Sequence, residues 1–192
     1  MNILVTGGCG YTGSILVRKL LSLGHKVKVI DTQWFGNYLK KHKNLKIIKK
    51  DIRDIDSDIF KGMHAIVHLA NIANDPSVEL NQNLSWEVNV LSIKKIVEHS
   101  IKHKLKKFIF ASSGSVYGIK KEKKVTEKLS LKPISDYNKS KMICEKVIEC
   151  YKNNFKTTIV RPATVCGFSK RLRLDVVINL FCYQIIILMI GF

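Results

Sequence analysis

Short, unbroken apolar runs alternate along this chain with stretches whose apolar residues recur at a helical spacing. Asn2 to Thr6 forms the first run and Lys26 to Asp31 the second. Further runs follow at Leu45–Ile48, Ala65–Leu69, Lys107–Ser112 and Thr157–Arg161, the last closed by Pro162. Between them, Ser14 to Leu23 places Leu16, Leu20 and Leu23 on one helical face, with Gly24 where a helix would stop. Leu84 to His103 carries Leu84, Val88, Leu91, Ile93, Val97 and Ile101 at a helical period, Ser135 to Asn154 reads as another helix, and Asp54 to Phe60 as a short one. The strands read as continuous apolar runs instead of strict in/out alternation, which predicts an α/β fold: a parallel sheet with helices on both faces.

The junction between the first strand and first helix carries the earliest chemical signal. Gly7, Gly10 and Gly13 stand in a Gly-x-x-Gly-x-x-Gly spacing. Glycines there allow a tight turn, let backbone N–H groups approach a phosphate, and let the helix pack closely on the strand. The second strand ends in Asp31, 18 positions after Gly13. A carboxylate about 20 residues beyond such a turn accepts hydrogen bonds from an adenosine ribose. Together these features predict a site for a dinucleotide.

Composition limits the alternatives. The 192 residues, 46% hydrophobic and 25% charged, suit one well-buried domain and exclude a disordered chain. The formal net charge is +18, from 33 Lys and Arg against 15 Asp and Glu. The Lys runs at 40–43, 102–107 and 120–124 lack interleaved aromatics, so they read as solvated surface and no nucleic-acid partner is expected. Five cysteines without a Cys-x-x-Cys pair indicate neither a disulfide framework nor a metal site, and a cytoplasmic setting fits. The chain opens on a core strand without a signal-peptide pattern. From Val176 to Ile190 it is nearly all apolar, yet Asn179 and Gln184 interrupt the run, which falls short of the roughly 20 residues a bilayer requires, so no membrane span is expected.

Two further groups could carry chemistry. Tyr137 and Lys141 stand four apart on a predicted helix, so both project from one face. A nearby ammonium would favour the phenolate and let tyrosine act as a base near neutral pH. The fifth strand ends in Ser112, Ser113 and Ser115, at the edge of a parallel sheet that faces the ligand crevice.

Taken in order, Thr6-Gly7-Gly8 with Gly10-Tyr11-Thr12-Gly13, Asp31, Asp51-Ile52, His68-Leu69-Ala70, Asn89, Ser113, Tyr137-x-x-x-Lys141 and Arg161-Pro162 resemble the extended short-chain dehydrogenase/reductase family, specifically its NAD-dependent nucleotide-sugar epimerases and dehydratases. The resemblance covers residues 2 to about 180. It implies a Rossmann-type doubly wound sheet that binds NAD. By the same resemblance, Gly7, Gly10 and Gly13 hold the pyrophosphate, Asp31 the adenosine ribose, and Asp51 and Ile52 the adenine. Leu69 and Ala70 line the cofactor cleft, and Tyr11, Thr12, Asn89, Pro162, Tyr137 and Lys141 complete the cofactor contacts. Ser113, Tyr137 and Lys141 form the implied catalytic trio, in which Lys141 lowers the tyrosine pKa. Ser113, Ser115 and Asn179 are assigned to a nucleotide-sugar substrate, with a homodimer as an option for assembly.

Departures from the family pattern narrow the reaction. Gly114 and Ser115 stand where 4,6-dehydratases carry Asp-Glu and decarboxylases a Glu, which leaves epimerisation or simple ketone reduction. Asp31 is followed by Thr32 and Gln33 with no adjacent arginine, which favours NAD over NADP. The expected division is a cofactor domain over residues 1–175 and, over 176–192, the start of a substrate domain that is largely missing. The apolar run Ile185 to Ile190 has no polar face, so a truncated or frameshifted frame is expected, with a natural short form as the alternative. A chain so shortened is expected to bind cofactor with reduced or no turnover. A non-catalytic NAD-binding regulator or subunit stands as the competing reading.

Overall fold

The computed structural model describes residues 1–190, so the last two residues of the 176–192 segment lie outside the described part. Six strands form one sheet: β1 (Asn2–Thr6), β2 (Lys26–Asp31), β3 (Leu45–Lys49), β4 (Ala65–His68), β5 (Lys107–Ala111) and β6 (Lys156–Val160). All neighbours pair in parallel, in the order β3-β2-β1-β4-β5-β6. The order reverses beside β1, between β1 and β4, and the crevice outside the strands' carboxyl ends opens there.

Side chains alternate between two cores. On one face, Leu4, Ile30, Ile66, Phe108 and Phe110 pack under α4 (Ser92–Lys102) and α5 (Asp136–Cys150). On the other, Ile3, Val5, Val27, Val29 and Val67 pack against Val17 of α1 (Tyr11–Ser22). The first cluster unites eighteen buried side chains and the second seven, so α5 rests on the larger core. Each fully buried Phe or Ile in it contributes about 1.5–3 kcal/mol. The sheet is thinner at β6, where Thr158 and Val160 are exposed.

The glycine turn is shaped by close approach. Gly7 has φ +71°, and a Cβ there would lie 2.6 Å from the backbone N of Ala70. A Cβ on Gly13 would lie 2.2 Å from the carbonyl O of Gly7. Because Gly10 caps the helix and Gly13 sits inside its first turn, α1 starts at Tyr11, three residues before the position its apolar spacing suggested.

The stretch predicted as one helix over 84–103 is interrupted. Asn74 and Asn81 each cap a short helix, α2 (Asp75–Leu80) and α3 (Gln82–Trp86), by accepting from Ser77 N at 3.0 Å and Leu84 N at 2.9 Å. A wider π-type turn follows at Glu87–Leu91 before α4. Ser92 Oγ donates back to Val88 O at 2.6 Å, a contact that bends helices. The segment 54–60 forms two single turns, Ile52–Asp54 and Ser57–Phe60.

The expected fold class is corrected at its C-terminal end: the helical part beyond the sheet is present, not missing. Residues 161–176 run back over the sheet's carboxyl edge and lead into α6 (Val177–Ile190). Tyr11 Oη donates to Gly167 O at 2.6 Å, Ser169 Oγ to Tyr11 O at 3.1 Å, and Gly167 N to Asn179 Oδ1 at 2.9 Å. Those ties, invisible in hydropathy, fix the chain as far as Asn179, whereas the apolar run beyond it stays largely exposed, Ile185, Ile186, Leu188, Met189 and Ile190 included. No described helix is long and apolar enough to cross a membrane.

A buried ion pair locks α5 to β6. Glu145 is fully buried and accepts from Arg161 through Nη2 at 2.6 Å and Nε at 3.0 Å. Ser112 Oγ donates to the same carboxylate, and Arg161 Nη1 reaches Tyr117 Oη at 2.8 Å.

Gly13→Ala should cost about 3 kcal/mol or more, since backbone must shift to admit the methyl group. Gly24→Ala should cost only left-handed strain, about 1–2 kcal/mol, because no atom lies within 4 Å of its Cβ position. Urea unfolding of both variants checks the difference. Glu145→Ala, which strands Arg161 without its partner, should cost about 3–5 kcal/mol in the same assay.

Candidate active site

The carboxyl ends of the strands border an open cleft of ≈ 2010 Å³. Gly7, Gly10, Tyr11, Thr12 and Gly13 line one wall, and Ser113, Ser115, Tyr137, Lys141 and Pro162 line another. Asp31, Asp51, Ile52, Leu69 and Ala70 also face it. Of the residues assigned from sequence to cofactor, substrate or catalysis, only Asn89 and Asn179 lie off this lining.

The glycine wall suits an anion. Gly10 caps α1 without a side-chain hydrogen bond, and the first turn holds no acidic residue. The first N–H groups of a helix lack intrahelical partners and carry the positive end of its dipole. A dinucleotide pyrophosphate fits that position. Asp31 is fixed by two backbone donors, Cys9 N at 2.9 Å to Oδ2 and Gln33 N at 2.7 Å to Oδ1. Each oxygen keeps a lone pair for a hydroxyl facing the cleft.

Other residues are engaged within the chain. Asp51 accepts from Arg53 N at 2.8 Å and from its guanidinium at 3.0 Å. Burial pushes the Asp51 carboxyl up, but the Arg53 hydrogen bonds outweigh it and hold the group below its usual range. Ile52 is buried beneath it. Asn89 is buried in the π-type turn and spans the backbone of Ile72, accepting from its N at 2.8 Å and donating to its O at 3.0 Å. It therefore shapes the loop after β4. Asn179 is buried too, its amide donating to Tyr11 Oη at 3.1 Å and Arg173 O at 3.0 Å while its oxygen takes Gly167 N. That side chain braces the segment before α6.

At the far wall, Ser113 Oγ and Ser115 Oγ lie 2.6 Å apart, and Ser115 Oγ donates to Asn138 Oδ1. The hydroxyls thus form a chain at the end of β5. Lys141, almost fully buried, donates through Nζ to Ala111 O at 2.8 Å. Its Nζ lies 5.0 Å from the centre of the Phe110 ring and 5.8 Å from that of Tyr137. Burial draws its pKa down to about 8, against the pull of Cys144 and Glu145. The Tyr137 hydroxyl is pushed above its ordinary value, chiefly by burial, against the lowering influence of Arg173 and a hydrogen bond with Asn71. His68, under the cleft floor, is held neutral with a pKa of about 3 by burial, and shares a 2.6 Å hydrogen bond with Thr6 Oγ1.

Sequence reasoning missed the arginines. Arg171 lies with its guanidinium carbon 3.9 Å from the centre of the Phe35 ring, and Asp31 is among the charges that act on it. Arg173 pairs with Asp175, Nε to Oδ1 at 3.1 Å, and Asp175 in turn meets Asn74 of the loop after β4. The alternation Arg171-x-Arg173-x-Asp175 just before an apolar helix was the available signal.

Comparison with known proteins agrees with this geometry. Residues 3–185 match the NAD dependent epimerase/dehydratase family. A UDP-glucose 4-epimerase from Lactobacillus helveticus is 30% identical over 175 residues, covering 88% of this chain and 53% of its own. The structure of a UDP-N-acetylglucosamine 4-epimerase from Methanobrevibacter ruminantium, in complex with UDP-N-acetylmuramic acid, superposes with a TM-score of 0.86 at 29% identity. It covers 96% of this chain and 62% of that one, so the segment after β6 belongs to the shared fold. A UDP-glucose 4-epimerase from Thermus thermophilus, in complex with NAD, gives 0.82 at 26% identity, covering 95% of this chain and 61% of that one. The chain spans about half the length of the curated relatives it matches, between 42% and 58% for three of them. With the family match spanning residues 3–185, from the first strand into the last helix, the chain belongs to the NAD dependent epimerase/dehydratase family.

Proposed function

We propose that this chain supplies the cofactor-binding and proton-transfer machinery of an NAD-dependent epimerase that acts on a nucleotide-sugar through a transient keto intermediate. The observation that carries the reading is the convergence of Ser113, Tyr137 and Lys141 on the cleft that the glycine turn also borders. NAD, when bound, supplies a reversible two-electron acceptor for the sugar carbon. The start of α1, capped by Gly10 without a side-chain hydrogen bond, would hold its pyrophosphate, and Asp31 would hold the ribose hydroxyls.

The chain's own task is to move one proton. Tyr137 Oη accepts it from the sugar hydroxyl as that carbon becomes a ketone, and returns it when the carbonyl is reduced from the opposite face. Ser113, in its hydroxyl chain with Ser115, orients the oxygen that gains and loses the proton. Lys141, anchored on Ala111 O, fixes the approach of the α5 face and places its charge beside the ribose end of the reaction. Gly114 and Ser115, where elimination would call for acidic side chains, leave water loss without a catalyst.

In a chain completed to the length of its relatives, Tyr137→Phe should reduce epimerisation by at least about 100-fold, the scale of general acid–base catalysis, while leaving NAD affinity within about threefold of the unmodified protein. Turnover of UDP-sugars and calorimetric NAD binding check the two halves. Retained turnover would sink the mechanism. NAD(H) should also bind more tightly than NADP(H), because the Asp31 carboxylate opposes a ribose 2′-phosphate. Equal affinities in calorimetry would overturn the assignment of Asp31 to the ribose.

A further inference from the structure

The segment between β6 and α6 leaves one edge of the sheet and makes a side-chain contact near the other. In the sheet, β6 lies four strand intervals from β2, about 19 Å at the usual strand spacing. On the way, Tyr11 Oη of α1 holds Gly167 O at 2.6 Å, and Ser169 Oγ lies 2.9 Å from Ser14 Oγ in the first turn of that helix. Two residues further on, Arg171 places its guanidinium carbon 3.9 Å from the centre of the Phe35 ring, in the loop after β2. The chain then returns, and Asp175 meets Asn74 of the loop after β4. Residues 167–175 therefore form a strap along the carboxyl edge, tied in turn to the elements that follow β1, β2 and β4. The seat at its tip is set by local chemistry. Asp31 Oδ1 accepts from Gln33 N at 2.7 Å, Gln33 turns the chain with φ +59°, and Gly36 N donates to Gln33 O at 3.0 Å. A tight turn thus hangs from the Asp31 carboxylate and carries Phe35, 63% exposed, at its end. A phenyl ring so exposed adds little to the core, but its face seats a planar guanidinium.

We propose that Arg171 and Phe35 form a latch that closes this strap over the adenosine end of the bound dinucleotide, so that the pair governs cofactor release. The inference rests on the reading of the glycine turn and Asp31 as the NAD site. Gly10, Asp31, Phe35 and Arg171 all border the one cleft. A dinucleotide whose pyrophosphate meets the start of α1 and whose ribose meets Asp31 lies beside the ties at Ser169 and Arg171, and leaves past β2 when the stack opens. The ties differ in kind. Ser14 and Ser169 are buried, whereas the stack rests on an exposed ring. Contacts at the surface open at lower cost than buried ones, so the tip releases first while the strap keeps its root on α1. The device needs both partners: the guanidinium without the ring has no seat, and the ring without the guanidinium latches nothing.

That mutual need makes the latch testable without turnover. Release of NADH from the full chain is followed by its fluorescence after rapid mixing with excess NAD. Phe35→Ala and Arg171→Gln should each speed release about two- to fivefold, the scale of an exposed cation–π contact, and the double variant should be no faster than the faster single one. Phe35→Tyr, which keeps the ring, should release NADH at the unmodified rate. An arginine acting only as a charge on the cofactor phosphates would speed release by the same factor whether or not Phe35 is present. Such multiplied effects, or unchanged release in Arg171→Gln, would overturn the proposal. If Phe35→Ala does not fold, Phe35→Leu takes its place in the cycle. An unmodified chain that takes up no NADH would instead sink the reading of the cofactor site, so the failure of one is distinct from the failure of the other.

Discussion

The arrangement of the active cleft depends on one buried ion pair. Glu145 has no exposed surface, and its carboxylate is shared by Arg161 of the segment after β6 and Ser112 at the end of β5. A carboxylate in the interior is costly unless its lone pairs are filled, and here three donors from two strand ends converge on it. The consequence reaches well beyond stability. Lys141 and Tyr137 lie on the same helix as Glu145, about one and two turns nearer its start, so the pair sets how α5 lies across the carboxyl edge of the sheet.

Around that lock the chain spends its amide side chains on shape. Asn74 and Asn81 cap helices, Asn89 spans the backbone of Ile72, and Asn179 ties Tyr11, Gly167 and Arg173 together. A family resemblance assigns Asn89 to cofactor and Asn179 to substrate, yet in this structure each has its amide and carbonyl occupied by the chain itself. The reason is physical: irregular segments over a cleft carry backbone groups with no ladder partner, and burying them calls for side chains with both a donor and an acceptor. These loops hold the ligand walls in place by satisfying one another.

Charge follows a similar division. Of the 33 basic residues only five are arginine, at 18, 53, 161, 171 and 173. Three of them form ion pairs with carboxylates, and a fourth lies on an aromatic ring. The planar guanidinium suits bidentate and stacked contacts, whereas lysine suits a solvated surface. In a lysine-rich chain, an arginine is therefore the more informative basic residue, and net charge alone concealed this.

The sequence by itself determined the six strands, the glycine turn, Asp31 and the pairing of Tyr137 with Lys141 on one helical face. Each of these is a local property: a run of apolar residues, a backbone that tolerates no Cβ, a fixed spacing within a helix. The short helices after β4, the C-terminal segment and the arginine contacts were decided only by tertiary structure. Caps at Asn74 and Asn81 depend on where the loop after β4 turns, and Asp175 meets Asn74 across 101 positions of chain. Asn179 anchors the start of the apolar stretch from Val176 through the hydroxyl of Tyr11 and the backbone of Gly167, contacts that hydropathy does not see, while the apolar side chains that follow in α6 are exposed, as their pattern reads. Hydrophobic patterning reports what is buried, whereas the placement of charge and hydrogen bonds over the cleft depends on distances that exist only once the sheet has formed.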